Sequence, residues 1–270
     1  MSSNFNDILS VLDTINNEVT VSVYVPSLTR EVKFKTINTG QQKNILKAAV
    51  DNPVFQTRFT IALYNIIQEN CIESGVVPLL TTIDAAAIAV QLRVSTAGTG
   101  YVLFQNNRKF NINLQDIINK FKVVAVPGTD TITGVPFTIQ VGSPLYIEQY
   151  NLEKQLREKT ANDKQILSAQ ITETIGDAFV GEVSKFIKDI NIFYNNQEQQ
   201  VGYSNLSFAK RHALLEKMPN SIIQDVLKYM EKYVSIQKDL LTVSGTDVET
   251  GEVVSDLTVL VDSTLFIVNQ

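Results

Sequence analysis

The stretch VTVSVYVPSLTREVKFK, residues 19–35, constrains the fold of this chain more than any other. In EVKFK, Val32 and Phe34 fall on one face and Glu31, Lys33 and Lys35 on the other, the period of a half-buried strand. VTVSVYV before it is rich in β-branched residues and reads as a second strand. Pro26 fixes its own φ and cannot donate a ladder hydrogen bond, so PSLT is the turn between them. Thr39 then precedes GQQKNILKAAV, with Gln42 three residues on. Thr39 as N-cap and Gln42 at N3 form the spacing of a capping box, which predicts a helix ended by Asn52-Pro53. The segment is hairpin, short link, helix, with a basic outer face.

The rest of the chain continues in short pieces. VFQTRFTIALYNIIQENCI is a helix by the spacing of Phe55, Phe59, Leu63 and Ile66/Ile67, and IDAAAIAVQLRV is an alanine-rich one. STAGTG reads as a loop, and YVLFQNNRKFNINL as two strands around an asparagine turn. LQDIINKF is a short helix; VVAVPG and VPFTIQVG are strands separated by TDTITG. Ser143-Pro144 has the order of N-cap and N1 and opens a helix to about Lys159. Val183, Phe186, Ile187 and Ile190 carry helical spacing, and NNQEQQVGYSN is a polar linker. One helix runs from Ser207 to Met218, and the next, 221–241, has an apolar seam of Ile222/Ile223, Val226/Leu227, Met230, Tyr233/Val234 and Leu240/Leu241. DLTVLVDSTLFIVNQ returns to strands. The expected class is α+β: an N-terminal β-hairpin and helices, middle β-hairpins, and a helical C-terminal half ending in strands. Three segments follow: a hairpin-helix region over 1–97, a strand-rich insertion or subdomain over 98–143, and a helical region with C-terminal strands over 144–270.

With 270 residues, 44% of them apolar and 19% charged, the chain has the composition of a globular protein that buries a substantial core. A net charge of −5 gives no reason to expect nucleic-acid binding, and no apolar run is long enough to cross a bilayer. The first residues are acidic where a secretory signal is basic, and the lone Cys71 excludes an intrachain disulfide, so a reducing compartment is expected. Charge is unevenly placed. Arg30, Lys33, Lys35, Lys43 and Lys47 cluster early, whereas everything from Asp239 onward lacks Lys, Arg and His.

Chemistry is sparse. His212, the single histidine, sits on a helix with nothing local to activate it, and Cys71 reads as a small core residue. GTGYVL lacks the third glycine of a dinucleotide loop, and PGTDTITGVP lacks the Lys-Ser/Thr of a phosphate loop. Asp247, Glu249, Glu252 and Asp256 form an acidic hairpin without the alternation of a calcium-binding loop. Glu153 and Glu158 look like surface charge on a helix. No catalytic, cofactor-binding or metal-binding residue is nominated.

The residues Tyr24, Pro26, Ser27, Leu28, Arg30, Val32, Phe34, Gly40, Gln41, Gln42 and Lys43 resemble the N-terminal signature of the baseplate hub subunit family of T-even-type contractile-tailed bacteriophages. SIIQDVLKYMEKYV after MPN, and the closing DSTLF, are similar to later segments of that family. The resemblance implies a non-enzymatic phage tail protein, made in the bacterial cytoplasm and destined for the virion baseplate. It would act as a hub subunit or hub assembly factor, with other hub or tail proteins as partners and a homo-oligomer left open. Neither nucleic acid nor membrane is implied. Partner contacts are expected at Pro26, Ser27, Leu28, Arg30, Lys33, Lys35, Gln41, Gln42 and Lys43. A tail assembly chaperone of another phage lineage and a hub-associated cell-wall hydrolase are the alternatives.

Overall fold

A computed structural model of the chain describes Thr14 and residues 18–50, 57–134, 136–161, 168–194 and 197–267. The fold is α+β, helices with antiparallel sheets. Contacts divide it into two compact units: residues 1–125 with 238–270, and residues 126–237. The three segments expected from the sequence, 1–97, 98–143 and 144–270, have other boundaries than these units.

In the first unit, β1 (Thr20–Val25) and β2 (Arg30–Lys35) pair antiparallel as expected, Val23 opposite Val32 and Ser22 opposite Lys33. Val23, Val25, Val32 and Phe34 are fully buried. The turn is a single 3-10 turn over Pro26–Leu28, closed by Thr29 at φ 51°. Helix α1 (Thr39–Val50) follows, and its capping box lies one residue earlier than the Thr39/Gln42 spacing predicts. Asn38 Oδ1 accepts the Gln41 N–H at 2.9 Å, and Gln41 Oε1 accepts the Asn38 N–H at 3.2 Å. Asn and Thr are both good N-caps and Gln stands at both candidate N3 positions, so spacing alone admits either register. Asn52-Pro53 and Phe55 lie outside the described residues. Helix α2 (Thr57–Asn70) buries Phe59, Leu63, Ile66 and Ile67 as its stripe requires. Helix α3 (Thr82–Ala97) is the centre of the unit, buried continuously from Ile83 to Arg93, and it absorbs the first half of the expected STAGTG loop. β1 packs against it.

Strands β3 (Gly100–Gln105) and β4 (Arg108–Asn113) form the expected hairpin, with Asn106 and Asn107 at positive φ. Helix α4 (Leu114–Val123) follows. Late in the chain, β9 (Thr242–Asp247) inserts beside β4 and pairs with β10 (Val253–Thr258), giving the sheet order β10-β9-β4-β3. Gly245 is required there, because a Cβ would lie 2.6 Å from Ile112 Cγ2 and 3.0 Å from the Asn111 carbonyl oxygen. Beyond β10, the expected final strand is instead an irregular run and a 3-10 turn at Ser263–Phe266, capped by Asp262.

The second unit holds a sheet of order β5-β6-β7-β8: β5 (Asp130–Thr133), β6 (Phe137–Val141), β7 (Ile187–Tyr194) and β8 (Gln197–Val201). Three expectations fail here. VVAVPG is not a strand. Its Pro127 and Gly128 carbonyls accept the Ser143 and Tyr229 hydroxyls, and pairing starts only at Asp130. Ile187 and Ile190 belong to β7, not to a helix. Gln140 faces Asp189 while Val141 faces Ile187, so Lys188 bulges out and both isoleucines, three apart, turn inward. That bulge imitates helical spacing. The polar linker contains β8, an exposed edge strand with no apolar alternation to betray it.

Helices α5 (Tyr146–Ala161) and α6 (Ser168–Ser184) connect β6 to β7. Ser143 does not cap α5; the Glu148 carboxylate takes the Leu145 N–H at 3.0 Å instead. Gly181 lets the two helices touch, since a Cβ there would sit 2.4 Å from Leu152 Cδ1. Helix α7 (Phe208–Leu215) and helix α8 (Asn220–Leu241) follow β8, and α8 leads into β9. Along α8, Ile222, Val226, Tyr233, Leu240 and Leu241 are buried, but Val234 is exposed and interrupts the expected seam.

Candidate functional site

The nine residues expected to meet a partner divide by burial. Pro26 and Gln41 are buried. Ser27 is an anchor: its N–H and hydroxyl donate to the two oxygens of Asp84 at 2.9 and 2.6 Å. The same carboxylate, fully buried at the start of α3, accepts the Thr81 N–H and hydroxyl at 2.7 and 2.8 Å. Four donors compensate its burial and bolt the hairpin turn to the helix N-terminus. The Thr81-x-x-Asp84 spacing is a capping-box signal, legible in the sequence. Gln91, two turns along α3, matches the β1 backbone like a strand: its amide accepts the Tyr24 N–H at 3.0 Å and donates to the Tyr24 carbonyl at 3.2 Å. Gln41 exchanges amide hydrogen bonds with Asn70 at 2.9 and 3.1 Å, and Gln42 reaches the Phe266 carbonyl at 3.4 Å.

What remains outward is basic. Lys33 and Lys43 are exposed, Lys35 and Leu28 half-exposed, and Arg30 pairs with Glu73 at 2.8 Å. The Arg30 hydrogen bond, more than the Lys33 N–H and charge, lowers the Glu73 carboxyl below its ordinary range. On the outer face Lys33 stands opposite Ser22 and Lys35 opposite Thr20.

The second unit carries a polar cluster that sequence reasoning missed. Glu153 is not surface charge: it is 9% exposed on α5, and burial raises its carboxyl to about 7. One oxygen accepts from Gln149 at 2.8 Å, Gln149 accepts from the buried Lys185 ammonium, and Lys185 reaches Glu182 at 2.6 Å. Nothing local distinguishes Glu153 from Glu158, which is exposed. Beside this cluster lies a cavity of about 380 Å³ lined by Glu148, Lys154, Glu158, Lys185, Phe208 and Arg211 among others. Glu153 is not among its lining residues. Glu148, which is, faces Lys188 at 3.0 Å and Arg211 at 3.7 Å.

His212 is partly buried, 3.0 Å from Asp177 and 3.4 Å from Glu216. It lies in the second unit, whereas Cys71 lies in the first, half-buried, with burial pushing its thiol up. The acidic hairpin is organised by one carboxylate: Asp247, buried, accepts the Glu249 and Thr250 N–H groups at 2.8 Å each and pairs with Arg108 at 2.6 Å. Those donors, led by the Thr250 N–H, lower its carboxyl. Among the described residues, no group of three or more His, Cys, Asp or Glu is placed to hold a metal. No helix of the described residues is long and apolar enough to cross a membrane.

Comparison with models of known families, with curated proteins and with solved structures finds no match to this chain.

Proposed function

We propose that this is a non-enzymatic bacteriophage tail protein, a baseplate hub subunit or hub assembly factor that works through contacts with other hub or tail proteins in the virion baseplate. The sequence resemblance at residues 24–43 suggests the class. The observation that carries a contact role is the β1–β2 hairpin, anchored from behind by Asp84 and Gln91 and presenting Lys33 and Lys35 on its outer face. A rigid base keeps the ordering cost of recognition low, and exposed charge steers association more than it stabilises a fold.

Lys33→Glu with Lys35→Glu tests it. The double variant should keep the wild-type melting temperature while capture of co-expressed hub proteins falls at least about tenfold, and wild-type capture should weaken with salt. Normal capture and normal baseplate yield would reduce the lysines to edge protection and end the docking reading. Presence in purified mature particles marks a hub subunit; absence marks an assembly factor.

A further inference from the structure

The four-stranded sheet of the first unit ends in two unlike edges. β10 is irregular: its register with β9 shifts between Val254 and Leu257, and Asp256 in that interval has φ 63°. A bulge carrying a charge spoils an edge for further pairing. β3, at the opposite edge, is regular from Gly100 to Gln105 and holds no charge and no proline.

The phase of the hairpin tells which way the β3 backbone points. Its two-residue turn, with Asn106 and Asn107 at φ 52° and 59°, makes Gln105 and Arg108 a hydrogen-bonded pair. Tyr101, Leu103 and Gln105 therefore bond toward β4, and Gly100, Val102 and Phe104 turn their N–H and C=O groups outward. The same alternation leaves the Lys109 carbonyl on the far side of β4, where it accepts the Val248 N–H at 2.9 Å. Among the described residues, no backbone hydrogen bond reaches the outward groups of β3. Phe104 is 65% exposed, and nothing lies within 4 Å of where a Cβ on Gly100 would sit.

We propose that β3 is a strand-addition site for a second copy of this chain, the two edges pairing antiparallel about a two-fold axis at Val102. The occupant follows from self-complementarity, which an isologous contact demands. Centred on Val102, the pairing sets Gly100 of one copy opposite Phe104 of the other, twice. Each ring covers a bare glycine whose surroundings are open, the arrangement by which aromatic side chains shield edge glycines. All three outward residues fall in hydrogen-bonded positions, giving about six interchain bonds, two per pair. The strand is neutral, so the two copies bring no like charges face to face. The two sheets become one continuous sheet, and this contact is independent of the phage reading.

Sedimentation velocity on the full chain, from low to high micromolar concentration, should show a reversible dimer. Val102→Pro removes only an outward N–H, and Phe104→Lys leaves the backbone intact while placing charge over the glycine. Each should weaken association at least about tenfold with the melting temperature unchanged. In a Cys71→Ser background, Val102→Cys should oxidise to a covalent dimer, since facing Cα atoms in such a pair are about 5.5 Å apart. Lys109→Cys, one strand inward, should not. A monomer at every concentration, a dimer that Phe104→Lys leaves untouched, or failure of Val102→Cys to cross-link each overturns the proposal. Should Val102→Pro unfold the chain, the other two variants decide.

Discussion

Asp84 and Glu153 are both carboxylates removed from water, in opposite surroundings. Asp84 accepts four hydrogen bonds from Ser27 and Thr81. Glu153 accepts one, from Gln149, and its other oxygen meets no donor among the described residues. Burial is the largest cause of its rise to about 7, with Glu182 adding repulsion and Gln149 and Lys185 opposing it. Because the folded chain holds this proton more tightly than the unfolded chain, the resulting stability is complete below about pH 4.5 and is lost as pH climbs toward 7. Glu153→Gln replaces the protonated group with a neutral amide of similar shape. The variant should be the more stable protein at pH 8, by at most about 3 kcal/mol, and the advantage should fall below about 1 kcal/mol at pH 5. Urea unfolding at both values checks this. An equal difference at the two pH values would mean that Glu153 is ionised in the fold. Neither carboxylate could be recognised as buried from its neighbours in sequence: Ser27, which gives Asp84 two of its four donors, and Glu182, whose charge adds to the rise at Glu153, both lie tens of residues away.

Among the elements, α1 offers the plainest test of local structure. Asn38 caps it, so Asn38→Ala should cost about 1 kcal/mol in denaturant unfolding, whereas Thr39→Ala should cost only a few tenths. The reverse order would place the cap at Thr39. Where local chemistry agrees with tertiary need, the elements were readable beforehand: β2 and β4 alternate polar and apolar residues, and Asn106-Asn107 tolerates the positive φ its turn demands. Where a distant partner decides, they were not. β8 has no apolar face and is a strand only because β7 lies beside it. The bulge at Lys188 lent β7 the spacing of a helix. The candidate docking set was legible in the same uneven way. Alternation put Lys33 outside, but nothing in the sequence showed Ser27 and Gln41 turned to scaffold duty.

At the scale of the molecule, the second unit is spliced into the first, entering after Ala125 and leaving before Lys238. The ends of that splice are near each other within the first unit, since the Lys120 ammonium on α4 donates to the Asp239 carbonyl at 2.9 Å and also to that of Thr242. Replacing residues 126–237 with a short Gly/Ser linker should therefore leave the first unit folded, with one cooperative melt and a dispersed amide spectrum. A non-cooperative melt would show that the first unit depends on the inserted one.

That splice also sets a timetable for the newborn chain. On the ribosome the β3–β4 hairpin emerges early, yet the neighbour that covers β4, β9, is translated more than a hundred residues later. At about 5–20 residues per second, β4 waits several seconds or more with a bare edge while the whole second unit is made and can fold. Asn111 and Lys109, polar and outward on that strand, are suited to such an interval, because they make the waiting edge a poor template for anything but its own late arrival.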